Sequence, residues 1–237
     1  MLRTGGNKIT WLGHSSFQIT TANGNVVLID PWLKGNPKCP PAMQQPARVD
    51  VILLSHAHGD HLGDTLALAR AHQPKIAAIY ETALWLESKD LKNVTGMSKG
   101  GTVKFGDIAA TLVNAFHSNG IEDEGRIVYG GEAGGWIVRL PGGLTLYHAG
   151  DTNAFGDMKL IGEIYKPDVA LLPIGDLYTM GPLEASHAVR LLGVQHVIPM
   201  HYGTFPALTG TPEALRELTQ NIAGLEIHAL KPGESLG

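Results

Sequence analysis

The 237-residue chain has only one cysteine, Cys39, so a disulfide cannot form within it. This cysteine usage predicts a cytoplasmic protein, although many exported proteins also lack disulfides. The first residues, MLRTGGNK, have no apolar stretch of the kind that a secretory signal requires. Apolar runs elsewhere in the sequence stay well short of the roughly 18 residues of a membrane helix. We therefore expect neither export nor a membrane partner.

Basic residues are also scarce. Lys and Arg together number 18 against 22 Asp and Glu, which gives a formal net charge of -4. Proteins that bind nucleic acids need a basic surface or a gripping arm, and the sequence has no Lys/Arg-rich insertion. A formal net charge of -4 still allows a local basic patch on the surface. The charge balance favours a small-molecule substrate over nucleic acid and leaves the oligomeric state open.

The hydrophobic fraction of 43% and the charged fraction of 17% are those of an ordinary globular protein. No linker interrupts the chain, and we expect one domain over residues 1–237. Residues 51–54 form a continuous apolar run, typical of a buried strand, and residues 62–72 predict a helix. Residues 120–131 are interpreted as a glycine-rich loop, either a lid or a flexible turn.

Each half of the chain has a strand meander followed by alternating strands and helices. This loose duplication predicts two sheets packed back to back with helices outside, which is an α/β fold with four αββα layers.

The segment SHAHGDHLGD, residues 55–64, holds three histidines and two aspartates in ten residues directly after a buried strand. Side chains two apart in extended chain point the same way, so His56 and His58 project together, while Asp60 and His61 lie in the turn that enters the next helix. A polar loop with hydrogen-bonded histidines would explain one histidine better than H-x-H-x-D-H. Imidazole and carboxylate are the ligands of zinc, iron and manganese, so the segment predicts a metal site.

Three further ligand-type residues follow predicted strands. They are His117 in AFHS, Asp151 in HAGDT and His201 in PMHYG. An α/β sheet gathers its functional loops at the carboxyl ends of its strands, so we expect these side chains to join the same site.

The combined motifs resemble the metallo-β-lactamase superfamily. The stretches WLGHSSF, IDPWLKGNP, LLSHAHGDHLGD, AFHS, YHAGDTNAFGDMKLIGEIYKPDVALLPIGDLYTMGP and IPMHYGTFP are most similar to its branch of uncharacterised metal-dependent hydrolases, related to ascorbate-phosphate lactonases. The similarity spans residues 9–233. It implies the metallo-β-lactamase fold and a metal-dependent hydrolase, but it specifies the substrate weakly, because one fold supports many functions.

The resemblance also implies a ligand set for two divalent ions, zinc with manganese or iron as alternatives. The first metal would be held by His56, His58 and His117. The second would be held by Asp60, His61 and His201, with Asp151 bridging both. The β-lactamases generally lack this bridging aspartate, and the diiron flavoproteins carry a glutamate where His58 stands. Drug hydrolysis is therefore not expected as the main activity, and redox chemistry is disfavoured.

Two such ions, about 3.5–4 Å apart, share a bridging water and lower its pKa toward neutrality. The resulting hydroxide would attack a small ester, lactone or phosphodiester. Asp60 could orient this hydroxide or take up its proton in addition to binding metal. An RNA-processing nuclease uses the same ligands and is the main alternative. β-Lactam hydrolysis as a side activity and a non-enzymatic metal-binding protein are the others.

Other polar residues have two interpretations each. Asp30 either caps a turn or supports a ligand histidine. His14 is either a turn residue or lies at the mouth of the site. Tyr178 and Tyr202 flank strand ends and are candidates for substrate contact. The remaining histidines are interpreted as structural, surface or helix residues: His72, His148, His187, His196 and His228.

Overall fold

In the computed structural model, which describes residues 2–237, most strands belong to two seven-stranded sheets. The first sheet has the strand order β16-β1-β2-β3-β4-β5-β6, with strands numbered along the chain. Its strands are β1 (Lys8–Trp11), β2 (Phe17–Thr20), β3 (Val26–Ile29), β4 (Val51–Leu53), β5 (Lys75–Ile79), β6 (Val94–Met97) and β16 (Ser235–Leu236). Strands β16, β1, β2 and β3 pair antiparallel, whereas β3 to β6 pair parallel.

The second sheet repeats this plan, with the order β15-β14-β13-β12-β11-β8-β7. Its strands are β7 (Thr102–Phe105), β8 (Ile108–Asn114), β11 (Gly134–Arg139), β12 (Thr145–His148), β13 (Val169–Pro173), β14 (His196–Met200) and β15 (Glu226–Ile227). Strands β7, β8, β11 and β12 pair antiparallel, and β12 to β15 pair parallel. The duplication seen in the sequence is therefore present in the fold.

Within residues 2–237, six α-helices complete the fold. They are α1 (Gly59–Leu62), α2 (Thr65–His72), α3 (Tyr80–Ser88), α4 (Met158–Tyr165), α5 (Pro182–Leu192) and α6 (Pro212–Thr219). Among the described residues, no helix is both long and apolar enough to cross a membrane.

Three hydrophobic clusters lie between the layers and hold them together. One joins the two sheets, one joins the first sheet to α2 and α3, and one joins the second sheet to α4, α5 and α6. In β4, Val51 and Leu53 point into the cluster between the sheets, while Ile52 points to the helices, as the two-residue period of a strand requires. The predicted four-layer αββα sandwich is confirmed.

The helix predicted over residues 62–72 is present as α2 and ends at His72, but it starts three residues later than predicted, because Gly63 separates it from α1. Gly63 has φ 44°, and a Cβ there would lie 2.6 Å from the carbonyl oxygen of Pro31. The next amide, of Asp64, donates to that same carbonyl at 2.9 Å. Close approach to the neighbouring loop therefore ends α1 after one turn.

The sequence predicted an irregular loop over residues 120–131, but these residues largely form an antiparallel hairpin. Strands β9 (Gly120–Asp123) and β10 (Arg126–Tyr129) are joined by Glu124 and Gly125, with φ values of 50° and 74°. Two positive φ angles are typical of the tight turn that matches strand twist. The Asp123 carboxylate accepts hydrogen bonds from the Trp85 indole at 2.9 Å and the Lys89 ammonium at 2.8 Å, which ties the hairpin to α3.

Candidate metal centre

Ligand-type side chains from both sheets meet at one edge of the sandwich. Residues 56–61 follow β4, His117 follows β8, Asp151 follows β12 and His201 follows β14. The Oδ2 atom of Asp151 lies 3.0 Å from Nε2 of His201, 3.2 Å from Nε2 of His61 and 3.8 Å from Nε2 of His117. The Asp151 carboxylate thus lies between the two sheets, within reach of three histidines.

The first group of ligand atoms comes from His56, His58 and His117, whose ring nitrogens lie within 4.8 Å of one another. The Ser55 hydroxyl lies 3.0 Å from Nδ1 of His56, and that of Ser118 lies 3.3 Å from Nε2 of His58. These contacts leave Nε2 of His56 and Nδ1 of His58 only 3.1 Å apart. Both nitrogens therefore face the same small volume.

The second group contains Asp60, His61 and His201, and the structure adds His14 to it, with all four ligand atoms within 4.8 Å of one another. Nε2 of His14 lies 3.0 Å from Oδ2 of Asp60, and Nδ1 lies 2.9 Å from the Thr204 hydroxyl. The His14 carbonyl accepts from the His201 amide at 3.0 Å. The structure therefore places His14 in contact with a predicted ligand, beyond the role of a turn residue.

Asp30 is fully buried and contacts His61 of the H-x-H-x-D-H segment and Ser55, the residue that precedes this segment. Its Oδ2 lies 2.8 Å from Nδ1 of His61, and its carboxylate accepts from the Ser55 amide at 2.8 Å and the Ser55 hydroxyl at 2.6 Å. Since Ser55 donates its hydroxyl proton to Asp30, it accepts from Nδ1 of His56. Asp30 therefore fixes both rings with Nε2 turned toward the centre, the arrangement of a supported metal ligand.

Burial controls the charge of the first group. It lowers the pKa of His56, His58 and His117, and the charge of neighbouring His61 lowers each of them further. The three imidazoles are therefore neutral at pH 7, the form in which a histidine binds metal.

At Asp151 and His61, in contrast to the first group, the surroundings favour the charged form of each side chain. Burial alone would raise the pKa of Asp151, but His61 and His201 outweigh it and hold that pKa well below its usual range. Burial would lower the pKa of His61, but Asp151 and Asp30 outweigh it and raise that pKa. The carboxylates of Asp30 and Asp151 thus hold a positive charge on His61. A metal cation can replace this charge.

Among the described residues, the buried histidine nitrogens without a hydrogen-bond partner are Nε2 of His61 and Nδ1 of His201. The former is 3.2 Å from Asp151 but is not aligned for a hydrogen bond. Such atoms each cost about 1–3 kcal/mol when left unsatisfied. A cluster of imidazole nitrogens and carboxylate oxygens, in which Nε2 of His61 is unsatisfied and faces Asp151, fits divalent transition metals.

The two tyrosines differ from the ligand candidates. The ring of Tyr202 stacks on Trp11 at 5.3 Å, next to the apolar core, and burial raises its pKa to about 12. Tyr178 is exposed in the loop after β13. The Met180 amide of that loop donates to the carbonyl of Thr152, the residue after Asp151. Of the two tyrosines, Tyr178 therefore has its ring open to solvent beside the site.

Sequence reasoning missed the hydroxyl groups that hold the ligands. Ser55 is the sequence neighbour of the His56 that it contacts, and this adjacency was an available signal, whereas Ser118 contacts His58, 60 positions away. Ser15, whose hydroxyl lies 3.5 Å from Oδ1 of Asp151, is far from it in sequence and gave none.

A cavity of about 520 Å³ extends from the first ligand group to the hairpin. Its lining includes His117 and Ser118 together with Ile127, Val128 and Tyr129 of β10. The ring of Phe116, beside His117, is 56% exposed. A small molecule bound here would meet apolar surface on one side and metal ligands on the other.

Comparison with known proteins identifies the family of the chain. The family model of the beta-lactamase superfamily domain matches residues 8–201. The UPF0173 metal-dependent hydrolase of Koribacter versatilis is 51% identical over 230 residues, covering 97% of this chain and 97% of that protein. The corresponding hydrolase of Rubrobacter xylanophilus is 48% identical over 235 residues, covering 98% of this chain and 97% of that protein.

A solved structure is also similar, that of Igni18, a metallo hydrolase from the hyperthermophilic archaeon Ignicoccus hospitalis. It matches with a TM-score of 0.86 and 33% identity, covering 97% of both chains. The resemblance inferred from the motifs is confirmed: the chain belongs to the beta-lactamase superfamily, among its metal-dependent hydrolases.

Proposed function

We propose that this hydrolase is a cytoplasmic enzyme with a binuclear metal centre, and that it cleaves a small ester or lactone. The observation that best supports this proposal is the position of Asp151. Its Oδ2 is within 3.8 Å of histidines from both ligand groups. A carboxylate placed between two groups of ligands supports two metals better than one.

The ligand roles follow the two groups. His56, His58 and His117 would hold one metal; Asp60, His61 and His201 would hold the other; Asp151 would touch both. Zinc is the favoured metal, and manganese or iron would suit the same nitrogen and oxygen donors. When bound, two such ions lower the pKa of a water molecule and polarise a carbonyl or phosphoryl oxygen.

Asp60 is the ligand best placed to act on the nucleophile, because its side chain is 32% exposed whereas His61 beside it is buried. Burial would raise the pKa of Asp60, but the hydrogen bond from His14 and the charge of His61 outweigh it and hold it below its usual range. A carboxylate with a depressed pKa is a weak proton acceptor. We therefore assign Asp60 to orienting the attacking water rather than to removing its proton.

The surroundings support a small, weakly charged substrate. The cavity beside His117 is lined by the apolar side chains of Ile127, Val128 and Tyr129, with Glu132 as its one charged lining residue. The formal net charge of -4 does not favour a polyanion. An ester or lactone fits these features better than a phosphodiester, and both fit better than RNA.

The test is a hydrolysis screen with the metal-loaded protein at physiological salt, covering lactones, esters, phosphodiesters, β-lactams and a structured RNA. We expect turnover of a lactone or ester that a chelator abolishes and added metal restores. Ile127→Ser should raise KM for apolar substrates with little change in kcat, whereas Leu183→Ser, at an exposed position on α5, should change neither. Site-specific cleavage of the RNA with the small molecules untouched would replace this proposal with a nuclease.

A further inference from the structure

A second cluster of metal-binding side chains lies at the opposite end of β14 from His201. His196 begins this strand, and the paired edge strand β15 contributes Glu226, followed by His228. Since a strand advances about 3.3 Å per residue, the cluster lies roughly 15 Å from the centre described above. It shares no ligand with that centre.

The sheet register brings the three side chains together. His196 pairs directly with Glu226, the Glu226 amide donates to the Gln195 carbonyl at 2.8 Å, and the His228 amide donates to the Val197 carbonyl at 2.8 Å. Glu226 and His228 are two residues apart and therefore share a face. The cluster is thus fixed by the backbone rather than by flexible side chains.

The distances match a metal site. Nδ1 of His196 and Nε2 of His228 are 3.1 Å apart, and Oε2 of Glu226 is 3.7 Å from the first and 3.9 Å from the second. A point equidistant from these three atoms lies about 2.1 Å from each, the length of a zinc bond to imidazole nitrogen or carboxylate oxygen, about 2.0–2.2 Å.

Burial and space also fit. The side chains of His196 and His228 are 12% and 16% exposed, so their rings are held in place while the cluster stays open to solvent. The two rings stack at 5.3 Å with an angle of 26° between them. A cavity of about 380 Å³, with Arg3 and Asp168 in its lining, adjoins the cluster at His196.

We propose that His196, Glu226 and His228 form a separate binding site for a divalent transition metal of the zinc class. Two imidazoles and one carboxylate with a fourth position open to solvent are a common set of zinc ligands. Strand β15 has only two residues, at the edge of its sheet. A metal bound by residues of both β14 and the β15 edge would stabilise the pairing of this short strand.

The experiment counts zinc per chain in the holoprotein. Wild type, His196→Asn/His228→Asn and His187→Asn are titrated with Zn²⁺ against a chromogenic chelator. His187 is an exposed histidine on α5 and serves as the matched control. We expect the wild type and the control to bind one Zn²⁺ more than the double variant, with hydrolytic activity unchanged in all three.

Glu226→Gln provides a second measurement, because it changes an exposed side chain and leaves both rings intact. We expect it to weaken the additional Zn²⁺ at least tenfold. Equal numbers of bound Zn²⁺ in the wild type and the double variant, or unchanged affinity in Glu226→Gln, would overturn the proposal. The hydrogen bond between the two rings would then be the whole role of the pair.

Discussion

The carboxylate of Asp30 decides how His61 presents its ring. It lies 2.8 Å from Nδ1 of His61 and turns Nε2 toward Asp151. Loss of such an outer partner typically reduces metal affinity 10–100-fold. We expect Asp30→Asn to weaken at least one metal by about this factor, measured by competition with a chelator.

The control for this substitution is Asp157→Asn, an exposed position that should leave metal affinity unchanged. Because Asp30 also accepts two hydrogen bonds from Ser55, circular dichroism should verify that the variant is folded. A folded Asp30→Asn that binds both metals as tightly as the wild type would show that Asp30 only caps its turn.

The thiol of Cys39 gives a prediction about pH. Cys39 is 4% exposed, and burial together with the nearby charge of Asp64 raises its pKa from 9.0 to about 11. The native state therefore holds a proton that the unfolded chain releases at lower pH. This contribution to stability is complete below about pH 9 and is lost as pH rises toward 11.

Thiol reagents measure the same shift, since the thiolate is the reactive form. At pH 8 we expect native Cys39 to react at least about 100-fold more slowly than the denatured chain, as a difference of two pKa units requires. The stability of the wild type relative to Cys39→Ala should fall between pH 9 and 11. Rapid labelling of the native protein at pH 8 would contradict both statements.

At the scale of elements, the break between α1 and α2 positions two of the predicted ligands. Asp60 and His61 belong to α1, and Gly63 ends it with a positive φ against the carbonyl of Pro31. A Cβ at this position needs both a strained backbone and a shift of the neighbouring loop. We expect Gly63→Ala to cost about 1–3 kcal/mol of unfolding free energy and to weaken metal binding.

Gly156→Ala is the matched control, because nothing lies within 4 Å of a Cβ there and its φ is not positive. It should leave stability nearly unchanged. Denaturant unfolding measures the free energy of unfolding of both variants. Equal stability of Gly63→Ala and the wild type would show that the loop at Pro31 shifts at no cost.

The sequence predicted elements well where one strong pattern dominated. The apolar run before His56 became β4, and H-x-H-x-D-H came to lie at its end, because strand period and ligand spacing are local properties. The β9 and β10 hairpin was missed, since β10 is exposed along its whole length and β9 buries only Ile121, which leaves no alternating pattern to detect. The contact between His14 and Asp60 joins residues 46 positions apart and depends on the strand order of the first sheet, which places the loops after β1 and β4 at the same edge.

For the whole molecule, the two metals would connect the halves of the sandwich. The first sheet supplies residues 56–61, and the second supplies His117, Asp151 and His201. The layered architecture could be predicted from the alternation of strands and helices. The way in which the strand ends of both sheets meet at one edge could not, because it depends on how the sheets rotate against each other.

A ligand set divided between two sheets makes stability depend on metal. Metal bound only to the native state adds about 4.1 kcal/mol when its concentration is 1,000 times Kd. For a chain of this size each kcal/mol shifts Tm by about 2–4 °C, so removing metal should lower Tm by about 8–16 °C. The measurement is thermal unfolding before and after chelation, with metal restored as the reversal.

Asp151→Asn should show a much smaller change on chelation, because its side chain is the one within reach of both ligand groups. A double variant of His196 and His228 should keep most of the change, since those residues lie at the other end of β14. If chelation left Tm of the wild type unaltered, the metals would not join the two sheets. The apolar cluster between the sheets would then hold them together unaided.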